Sequence, residues 1–362
     1  MEAPKFRGSL PVPNVQELAK KPMDQVPPRY ARTDLVDPLF TSSCNSALSE
    51  QLPVINLARL ASFDTKDSEL QKLDHACRDW GFFQVINHGV SLSLVEAMKN
   101  KAEEFFQLPI EEKNKYKQQP GELQGFGQLF VVSDDQKLDW ADMMYIVPYP
   151  KHHSSRLLEK FPLEFRGTVE AYSEAVRDLA IKLLNSMANA LKIDSDYMLD
   201  LFVEGRQDMR INYYPPCPQP DLVMGLTPHS DASSLTILLQ LNDVAGLQVK
   251  KDGQWIRVNP LPNAFIVNIG DVLEIVTNGN YKSIEHRAIV NSTKERLSIA
   301  SFHNIKDDGN VAPAPSLVSP KSPPAFRTVS FADYIDSFFQ RKLDGKAYID
   351  ELRLRGEAIP SQ

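Results

Sequence analysis

The sequence predicts an α+β fold in which helices flank an antiparallel barrel or a double-sheet jelly roll. Two observations support this prediction. A helical period runs from Val169 to Leu191, and so long a helix in a mixed domain usually packs against a sheet. Beyond Arg210 the pattern changes to short apolar runs with hairpin signals such as Asp252-Gly253 between them, as is typical of barrels and jelly rolls. These runs are RINYY, LTILLQ, GLQVK, QWIRV, AFIVNI, HRAIV and RLSIASF.

The chain before the long helix is predicted to form two segments. Residues 1–50 are rich in Pro and Ser, which indicates an extension packed over the body with at most one short helix. Residues 51–160 are predicted to form an N-terminal domain of mixed structure. Its expected elements are a strand at 52–57, a helix at 70–80, a strand at 81–86, a helix at 94–105 and an irregular stretch of loop and short strands at 121–150.

The remaining boundaries follow from the same patterns. The long helix and its connection occupy residues 161–204, and the strand-rich core occupies 205–306. A Pro-rich loop and a final helix occupy 307–362. We expect that helix, around Phe331 to Arg355, to break near Asp344-Gly345.

Composition and charge favour a globular protein that acts on small molecules. The 362 residues are 42% hydrophobic and carry a formal net charge of −7, without a long Lys/Arg block. This balance argues against nucleic acid or an acidic membrane as a partner. No apolar run is long enough for a membrane span, and the N-terminus lacks the apolar core of a signal peptide, so we expect a cytoplasmic protein. We also expect a monomer. Cys44, Cys77 and Cys217 are far apart and odd in number, which favours idle thiols over disulfides.

A metal site is indicated by His229 and Asp231, which lie two residues apart before an apolar run. On one strand such side chains point to the same face, where both could bind one ion. His286 is the best candidate for a third ligand. Two His and one carboxylate form the facial triad of non-haem Fe(II) oxygenases, which leaves one face of the iron open. The acidic cluster at Asp139 and Asp142 is interpreted as a turn with solvated carboxylates rather than as a second metal site.

An anion site is indicated by pairs of polar residues at strand spacing. Arg296 and Ser298 share one strand face, and Asn212 and Tyr214 share another, together with Arg210. An Arg inside an apolar strand is costly unless it meets an anion, and Arg binds carboxylates bidentately. The alternative for Arg296 is a salt bridge with a carboxylate such as Glu274.

The remaining histidines of this region are interpreted as structural. His88 lies in a strand-ending turn, where a His more often makes structural hydrogen bonds than binds a metal. His303 follows Phe302 and therefore faces away from Arg296, which favours an outward or rim position. Both remain the next candidates for a third ligand if His286 is not one.

These motifs resemble the plant 2-oxoglutarate- and Fe(II)-dependent dioxygenase family, in particular its senescence-related-gene and alkaloid O-demethylase branch. The resemblance covers nearly the whole chain, and its residues are RINYYPPCPQP, GLTPHSD, LPNAFIVNIGDVLEIVTNGNYKSIEHRAIV, RLSIASF and, in the front part, LPVINL with HACRDWGFFQVINHGV.

The resemblance implies a distorted double-stranded β-helix, a jelly roll of the cupin-like kind, and a set of roles. His229, Asp231 and His286 would bind Fe(II). Arg296, Ser298 and Tyr214 would hold the distal carboxylate of 2-oxoglutarate, with Asn212 near its iron-chelating end. Such enzymes split this cosubstrate into succinate and CO2 while O2 oxidises a C–H bond of a small molecule, and we expect ascorbate as an activator.

The substrate pocket is predicted between the barrel mouth and the stretch 121–150, with the aromatic end of the final helix as a candidate lid. Its lining would be apolar, which favours a neutral or amine-bearing polycyclic or phenolic metabolite that is hydroxylated or O-demethylated. Two alternatives remain at this point: an iron oxidase that does not use 2-oxoglutarate, and a non-catalytic binding protein. The residues predicted to line the pocket are Phe126, Leu129, Val131, Met144 and Phe302.

Overall fold

The computed structural model describes residues 9–35, 51–150 and 156–354. The α-helices of this part of the chain range from four to 29 residues. They are α1 (Val15–Ala19), α2 (Leu57–Ala61), α3 (Lys66–His75), α4 (Leu92–Gln107), α5 (Ile110–Lys113), α6 (Arg156–Lys160), α7 (Leu163–Leu191), α8 (Ser195–Phe202), α9 (Asp271–Val276), α10 (Phe331–Phe339) and α11 (Ala347–Leu352).

The strands are concentrated after α7, as the sequence predicts. They are β1 (Val54–Asn56), β2 (Phe82–Ile86), β3 (Gly125–Gly127), β4 (Asp142–Tyr149), β5 (Gln207–Tyr214), β6 (Leu226–His229), β7 (Leu235–Gln240), β8 (Leu247–Lys251), β9 (Gln254–Arg257), β10 (Phe265–Ile269), β11 (His286–Ala288), β12 (Arg296–His303), β13 (Asn310–Val311) and β14 (Val329–Ser330).

Two sheets form the core, which confirms the jelly-roll prediction. The larger sheet has the order β1-β2-β10-β7-β12-β5-β4-β3, and the smaller has the order β6-β11-β8-β9. Apolar side chains of both sheets pack together, for example Phe82 and Ile266 of the larger with Val249 of the smaller. The strands of the segment 51–150 extend the larger sheet at both of its edges, so this segment and the strand-rich core share one sheet.

Helix α7 covers the outer face of the larger sheet. Its residues Val169, Tyr172, Val176 and Leu183 recur at steps of three, four and seven and are fully buried in the main apolar cluster. This spacing forms one apolar face on a helix. The prediction of a long helix that packs against the sheet is therefore confirmed.

The stretch 121–150 departs from its prediction because β4 is an eight-residue strand that pairs with β5, with a register shift between Ile146 and Tyr149. Asp142, its first residue, accepts hydrogen bonds from the backbone N–H groups of Val15 (3.0 Å) and Gln16 (2.7 Å). Asp139 accepts from the amide and hydroxyl of Thr227. The interpretation of this cluster as a turn with solvated carboxylates is wrong, because each carboxylate accepts hydrogen bonds from the protein. Burial raises the pKa of Asp142 to about 6, against the effect of the two N–H groups.

Within its described residues, 9–35, the N-terminal extension carries one short α-helix, α1. The residues after it also pack on the body, and Tyr30 meets the buried Trp140 edge to face, with 5.2 Å between the ring centroids. Cys77 and Cys217 are buried free thiols, whereas Cys44 lies outside the described residues. No helix in the described ranges is long and apolar enough to cross a membrane.

The substitution Asp142→Ala should lower the free energy of unfolding by about 2–4 kcal/mol, because two buried N–H groups at the start of α1 lose a charged acceptor. Thermal and urea unfolding measure this change. The matched control is Asp134→Ala, at an exposed carboxylate of the same stretch, which should unfold like the wild type. Equal stability of the two variants would contradict a structural role for Asp142.

Candidate active site

Three predicted metal ligands meet at the edge of the smaller sheet. His229, the last residue of β6, lies directly opposite His286, the first residue of β11. Asp231 lies beyond the end of β6, so the expectation of a single strand carrying both ligands is wrong. A bend in the chain brings Asp231 to the two rings, and its carbonyl accepts a hydrogen bond from the Asp271 amide (2.7 Å) at the start of α9.

The spacing of the three side chains suits one ion. Nε2 of His229 lies 3.5 Å from Oδ1 of Asp231, and Nε2 of His286 lies 3.7 Å from the same oxygen. These distances are too long for hydrogen bonds. Ligand atoms bound about 2.1 Å from one ion lie roughly 3.0–3.5 Å apart, so the triad has nearly the spacing that a metal requires. Among the described residues, these three are the His/Cys/Asp/Glu group that could hold a metal ion.

Neighbouring groups fix which atoms point inward. Nδ1 of His229 lies 2.8 Å from the Thr227 carbonyl, and Nδ1 of His286 lies 3.1 Å from the Ile284 carbonyl. Each Nδ1–H can thus donate to a carbonyl, which leaves the Nε2 lone pair for a metal. The second oxygen of the Asp231 carboxylate, Oδ2, accepts from Thr236 of β7 (2.6 Å) and Asn268 of β10 (2.8 Å), so Oδ1 is left for the ion.

The charge state of the triad also suits a metal. Burial lowers the pKa of His286 to about 4, so its ring is neutral at neutral pH. Burial alone would raise the pKa of Asp231, but the two imidazoles and the Asn268 amide outweigh it and hold the pKa below its usual range. Two imidazoles and one carboxylate are the donor set of non-haem Fe(II) sites, and the donors present fit such an ion.

The predicted anion site lies on the larger sheet, where β5 and β12 run antiparallel. Arg296 pairs with Tyr214, and Ser298 pairs with Asn212, so all four side chains share one face. The Arg296 guanidinium lies 5.1 Å from the Tyr214 ring centroid and donates to Gln240 (3.1 Å). Nε of Arg296 and Oδ1 of Asn212 are buried and lack a partner within the described part of the chain. A buried unpaired donor is costly, and the Arg296 Nε–H fits a carboxylate ligand that accepts from it, whereas Oδ1 of Asn212 would need a donor.

Glu274 is the alternative partner that the sequence offers for Arg296, and this alternative is wrong. The Glu274 carboxylate instead binds Lys346 (2.8 Å), Arg353 and the amide of Ser283 (2.7 Å).

Two glycines of the smaller-sheet side lie against the anion site. A Cβ at Gly246 would stand 2.6 Å from Cδ of Arg296, and a Cβ at Gly225 would stand 2.8 Å from the Tyr214 ring. Any larger residue would therefore displace the two side chains. The sequence places glycine where the backbone must approach Arg296 and Tyr214 closely.

Comparison with known proteins agrees with this geometry. A family model of the 2OG-Fe(II) oxygenase superfamily matches residues 205–305, and a model of the N-terminal region of non-haem dioxygenases in morphine synthesis matches residues 52–164. The chain belongs to the 2OG-Fe(II) oxygenase superfamily. The oxygenase therefore uses Fe(II) and 2-oxoglutarate, and the comparisons support this chemistry over the iron oxidase without 2-oxoglutarate and the non-catalytic binding protein.

Several relatives match the oxygenase over nearly its full length. Protein SRG1 of Arabidopsis thaliana is 52% identical, over 96% of this chain and 98% of its own. The oxoglutarate-dependent flavonoid 7-O-demethylase 1 of Ocimum basilicum is 50% identical, over 96% of this chain and 92% of its own. Thebaine 6-O-demethylase of Papaver somniferum is 46% identical, over 97% and 98%. The crystal structure of JOX2 in complex with 2OG, Fe and JA superposes with a TM-score of 0.85 at 35% identity, covering 96% of this chain and 99% of that one.

The oxygenase has an inner chamber at the triad and a wider vestibule outside it. The chamber, of about 60 Å³, is lined by His229, Asp231 and mostly apolar side chains, and helix α10 covers it. Phe339 of this helix stacks on Phe130, with 5.6 Å between their centroids. The vestibule, of about 840 Å³, has polar walls. The chamber alone is too small for a ring system, since such sites usually measure ~300–1,000 Å³. A ring substrate must therefore extend into the vestibule or displace α10.

Of the five residues predicted to line the pocket, three line a cavity and two do not. Leu129 and Phe302 line the chamber, and Val131 lines the vestibule. Phe126 and Met144 are wrong predictions, because both are buried in the main apolar cluster on the other face of the sheet. The register explains the error: Met143 pairs with Asn212 on the inward face, so its neighbour Met144 points outward.

The other two histidines do not join the triad. Nδ1 of His88 accepts a hydrogen bond from the Val90 amide (3.1 Å), and its Nε2 lies 3.2 Å from the Asn263 carbonyl, which agrees with a structural role. His303 faces away from Arg296, as predicted. The expected outward or rim position is wrong, because helix α7 covers that face of the sheet and His303 is only 5% exposed. Burial lowers its pKa to about 3.

Sequence reasoning missed the second layer of the metal site. Thr236 and Asn268, which hold Asp231, are polar residues in otherwise apolar strands, and that contrast was the available signal.

Phe302→Ala and Met144→Ala should affect different properties. Phe302→Ala should change the KM for a ring substrate about tenfold with little change in melting temperature, because its half-buried ring faces the chamber. Met144→Ala should cost about 2–5 kcal/mol of stability and leave that KM unchanged. Steady-state kinetics and thermal unfolding measure both. A Met144 variant with normal stability and altered KM would show that the chamber wall is wrongly assigned.

Proposed function

We propose that this oxygenase hydroxylates or oxidatively O-demethylates a small hydrophobic metabolite of plant specialised metabolism, such as a phenolic, alkaloid or terpenoid. The observation that carries the proposal is the chamber at the triad, whose walls are largely aromatic and aliphatic. The part of a substrate that reaches the chamber must therefore be apolar, which favours the edge of a ring system over a sugar or an amino acid. The demethylases of flavonoids and thebaine, about half identical over nearly the whole chain, support the same substrate class.

Within this proposal His229, Asp231 and His286 bind the iron through two Nε2 atoms and one carboxylate oxygen. Iron and 2-oxoglutarate, when bound, supply the oxidation of a C–H bond by O2 with release of succinate and CO2. The imidazoles are held by the Thr227 and Ile284 carbonyls, so neither ring needs to turn. The carboxylate is likewise fixed from the larger sheet.

The cosubstrate would be held by the second group of residues. Arg296 donates to its distal carboxylate, and Ser298 and Tyr214 add hydroxyl donors. Asn212 lies one step nearer the chamber along β5 and would be near the other end of the cosubstrate. Arg296 is 2% exposed, so water competes little for its guanidinium.

The chamber contributes by excluding water and by limiting access. Phe302, Phe338 and Phe339 surround the space next to the triad, and a methoxy or C–H group placed there is shielded from solvent. The polar vestibule then accommodates the rest of the molecule.

Monomeric state, a cytoplasmic location and activation by ascorbate stay predictions, as do the domain boundaries.

Turnover of a methoxylated phenolic or alkaloid should yield succinate and product in equal amounts, with formaldehyde if the outcome is O-demethylation.

His286→Ala should abolish product and bound iron, because two remaining ligands hold the ion poorly. Mass spectrometry and metal analysis measure both. His75→Ala, at an exposed histidine, is the control and should behave as wild type. Substantial activity of the His286 variant at limiting iron would refute its role, and product without succinate would refute the reaction.

Arg296→Gln should raise the KM for 2-oxoglutarate by tens- to thousands-fold, because a buried charge-assisted pair is worth on the order of 2–5 kcal/mol. The KM for the main substrate should change far less. Initial rates at varied 2-oxoglutarate measure the effect, and Arg296→Lys should restore it only in part because an ammonium lacks the bidentate geometry. An unchanged dependence on 2-oxoglutarate would make Arg296 a structural residue.

A further inference from the structure

Arg32 connects the N-terminal extension to the strand that carries His229. Its amide donates to the Leu222 carbonyl (2.7 Å), and one guanidinium nitrogen donates to the hydroxyl of Thr227 on β6 (2.7 Å). The other two guanidinium nitrogens bind the two oxygens of the Asp34 carboxylate (3.0 and 3.1 Å). The Arg32 side chain is only 10% exposed. The guanidinium is therefore held from two sides, and its position at Thr227 is fixed.

Thr227 lies between Arg32 and a proposed iron ligand. Its hydroxyl accepts from Arg32 and donates to Oδ1 of Asp139 (2.6 Å), and the same oxygen accepts from the Thr227 amide (3.0 Å). The Thr227 carbonyl lies 2.8 Å from Nδ1 of His229. A metal-binding imidazole is oriented by the acceptor of its other N–H group. A movement of Thr227 would therefore turn the His229 ring away from the ion.

A second arginine of the N-terminal extension makes contacts of a different kind. Arg29 donates to the carbonyls of Gln136 and Ser133 (both 3.4 Å), which lie in the loop before β4. These long hydrogen bonds fasten the extension to that loop without reaching β6. Arg32 instead contacts a residue that itself holds a metal ligand. The two arginines therefore allow the fastening of the extension to be separated from an effect on the metal site.

We propose that Arg32 is a positioning residue for the iron site, which acts through the Thr227 hydroxyl to fix the carbonyl that orients His229. This assignment rests on the proposed role of His229 as an iron ligand. The N-terminal extension would then belong to the metal site although it supplies no ligand. Coupling between two binding events is reciprocal, so metal binding should also hold the extension against β6.

Titration of the full chain with Co(II) tests the assignment without turnover. The visible absorption of Co(II) depends on the geometry of its ligands, and calorimetry gives its Kd. Without oxygen and with 2-oxoglutarate present, Arg32→Gln should raise this Kd roughly three- to tenfold, which is less than the ~10- to 100-fold effect of losing a group bonded directly to a metal ligand. The absorption spectrum should change as well, because the His229 ring is no longer held in one orientation.

Further variants show whether the effect passes through the Thr227 hydroxyl. Thr227→Val removes the hydroxyl at nearly the same shape and should raise the Kd for Co(II) at least as much, whereas Thr227→Ser should restore most of the affinity. In the Thr227→Val background, Arg32→Gln should have no further effect, because the path between them is already broken. Arg29→Gln is the matched control and should bind Co(II) as the wild type does. Asp34→Ala carries the test if Arg32→Gln does not fold, since Asp34 is exposed and its loss frees the Arg32 guanidinium.

Hydrogen exchange measures the coupling from the other end. Amides of residues 26–35 should exchange more slowly in the wild type when Co(II) is bound, because the metal fixes His229 and, through it, Thr227. In Thr227→Val the exchange of this segment should not respond to Co(II).

The outcomes separate the role of Arg32 from the function on which it rests. A lower melting temperature of Arg32→Gln with an unchanged Kd and spectrum for Co(II) would make Arg32 a structural residue only. An equal rise of the Kd in Arg29→Gln, or additive effects of the Arg32 and Thr227 substitutions, would also overturn the assignment. Wild-type affinity of His229→Ala for Co(II) would instead refute the proposed iron ligand. An Arg32-dependent Kd without turnover of any ring substrate would refute the proposed function and retain the role of Arg32.

Discussion

The active site depends on the register between two short strands, β6 and β11. Their pairing sets His229 opposite His286, and the two ring centroids lie 4.3 Å apart. A slip of one residue would turn one ring to the other face of the sheet and leave the ion with two ligands. The third ligand is fixed from the opposite sheet, because Thr236 and Asn268 hold Asp231. A metal bound here therefore links both sheets of the jelly roll, and iron binding and tertiary packing stabilise each other.

The C-terminal segment is attached to the same strand. The Gly345 amide donates to the Pro228 carbonyl (3.0 Å), and the Ser230 amide donates to the Gly345 carbonyl (3.1 Å), so these bonds flank His229 on both sides. Lys346, the next residue, binds the buried Glu274, which also binds Arg353. Helix α10, which covers the chamber, is thus followed by a segment anchored beside a metal ligand. Movement of α10 to admit a substrate must hinge between Phe339 and Gly345 if these bonds are kept.

The sequence predicted those features that depend on local spacing. The period of α7, the short strands and the pair of His229 and Asp231 follow from residues a few positions apart. His286 lies far from that pair in the chain and was predicted from the chemistry of its side chain. The side-chain directions in the stretch 121–150 could not be predicted. They depend on how β4 pairs with β5, and a shift of one position exchanges Met143 with Met144. The interpretation of Asp142 as a solvated carboxylate was wrong for a related reason, since its hydrogen-bond donors lie on α1, more than a hundred residues earlier in the chain.

The pairing of β5 with β12 also arranges cosubstrate and substrate along one line. Its inward pairs run in the order Arg296 with Tyr214, Ser298 with Asn212, Ala300 with Arg210, and Phe302 with Asp208. Successive inward pairs lie about 7 Å apart, since each spans two residues of a strand. The first two pairs form the anion site, and the last two face the chamber. The pairs of the anion site and the pairs that face the chamber lie on the same two strands but consist of different side chains. Substitutions in the pairs that face the chamber can therefore alter which substrate fits, while the residues that hold 2-oxoglutarate stay in place. The same sheet can therefore support one oxidative reaction on different ring substrates.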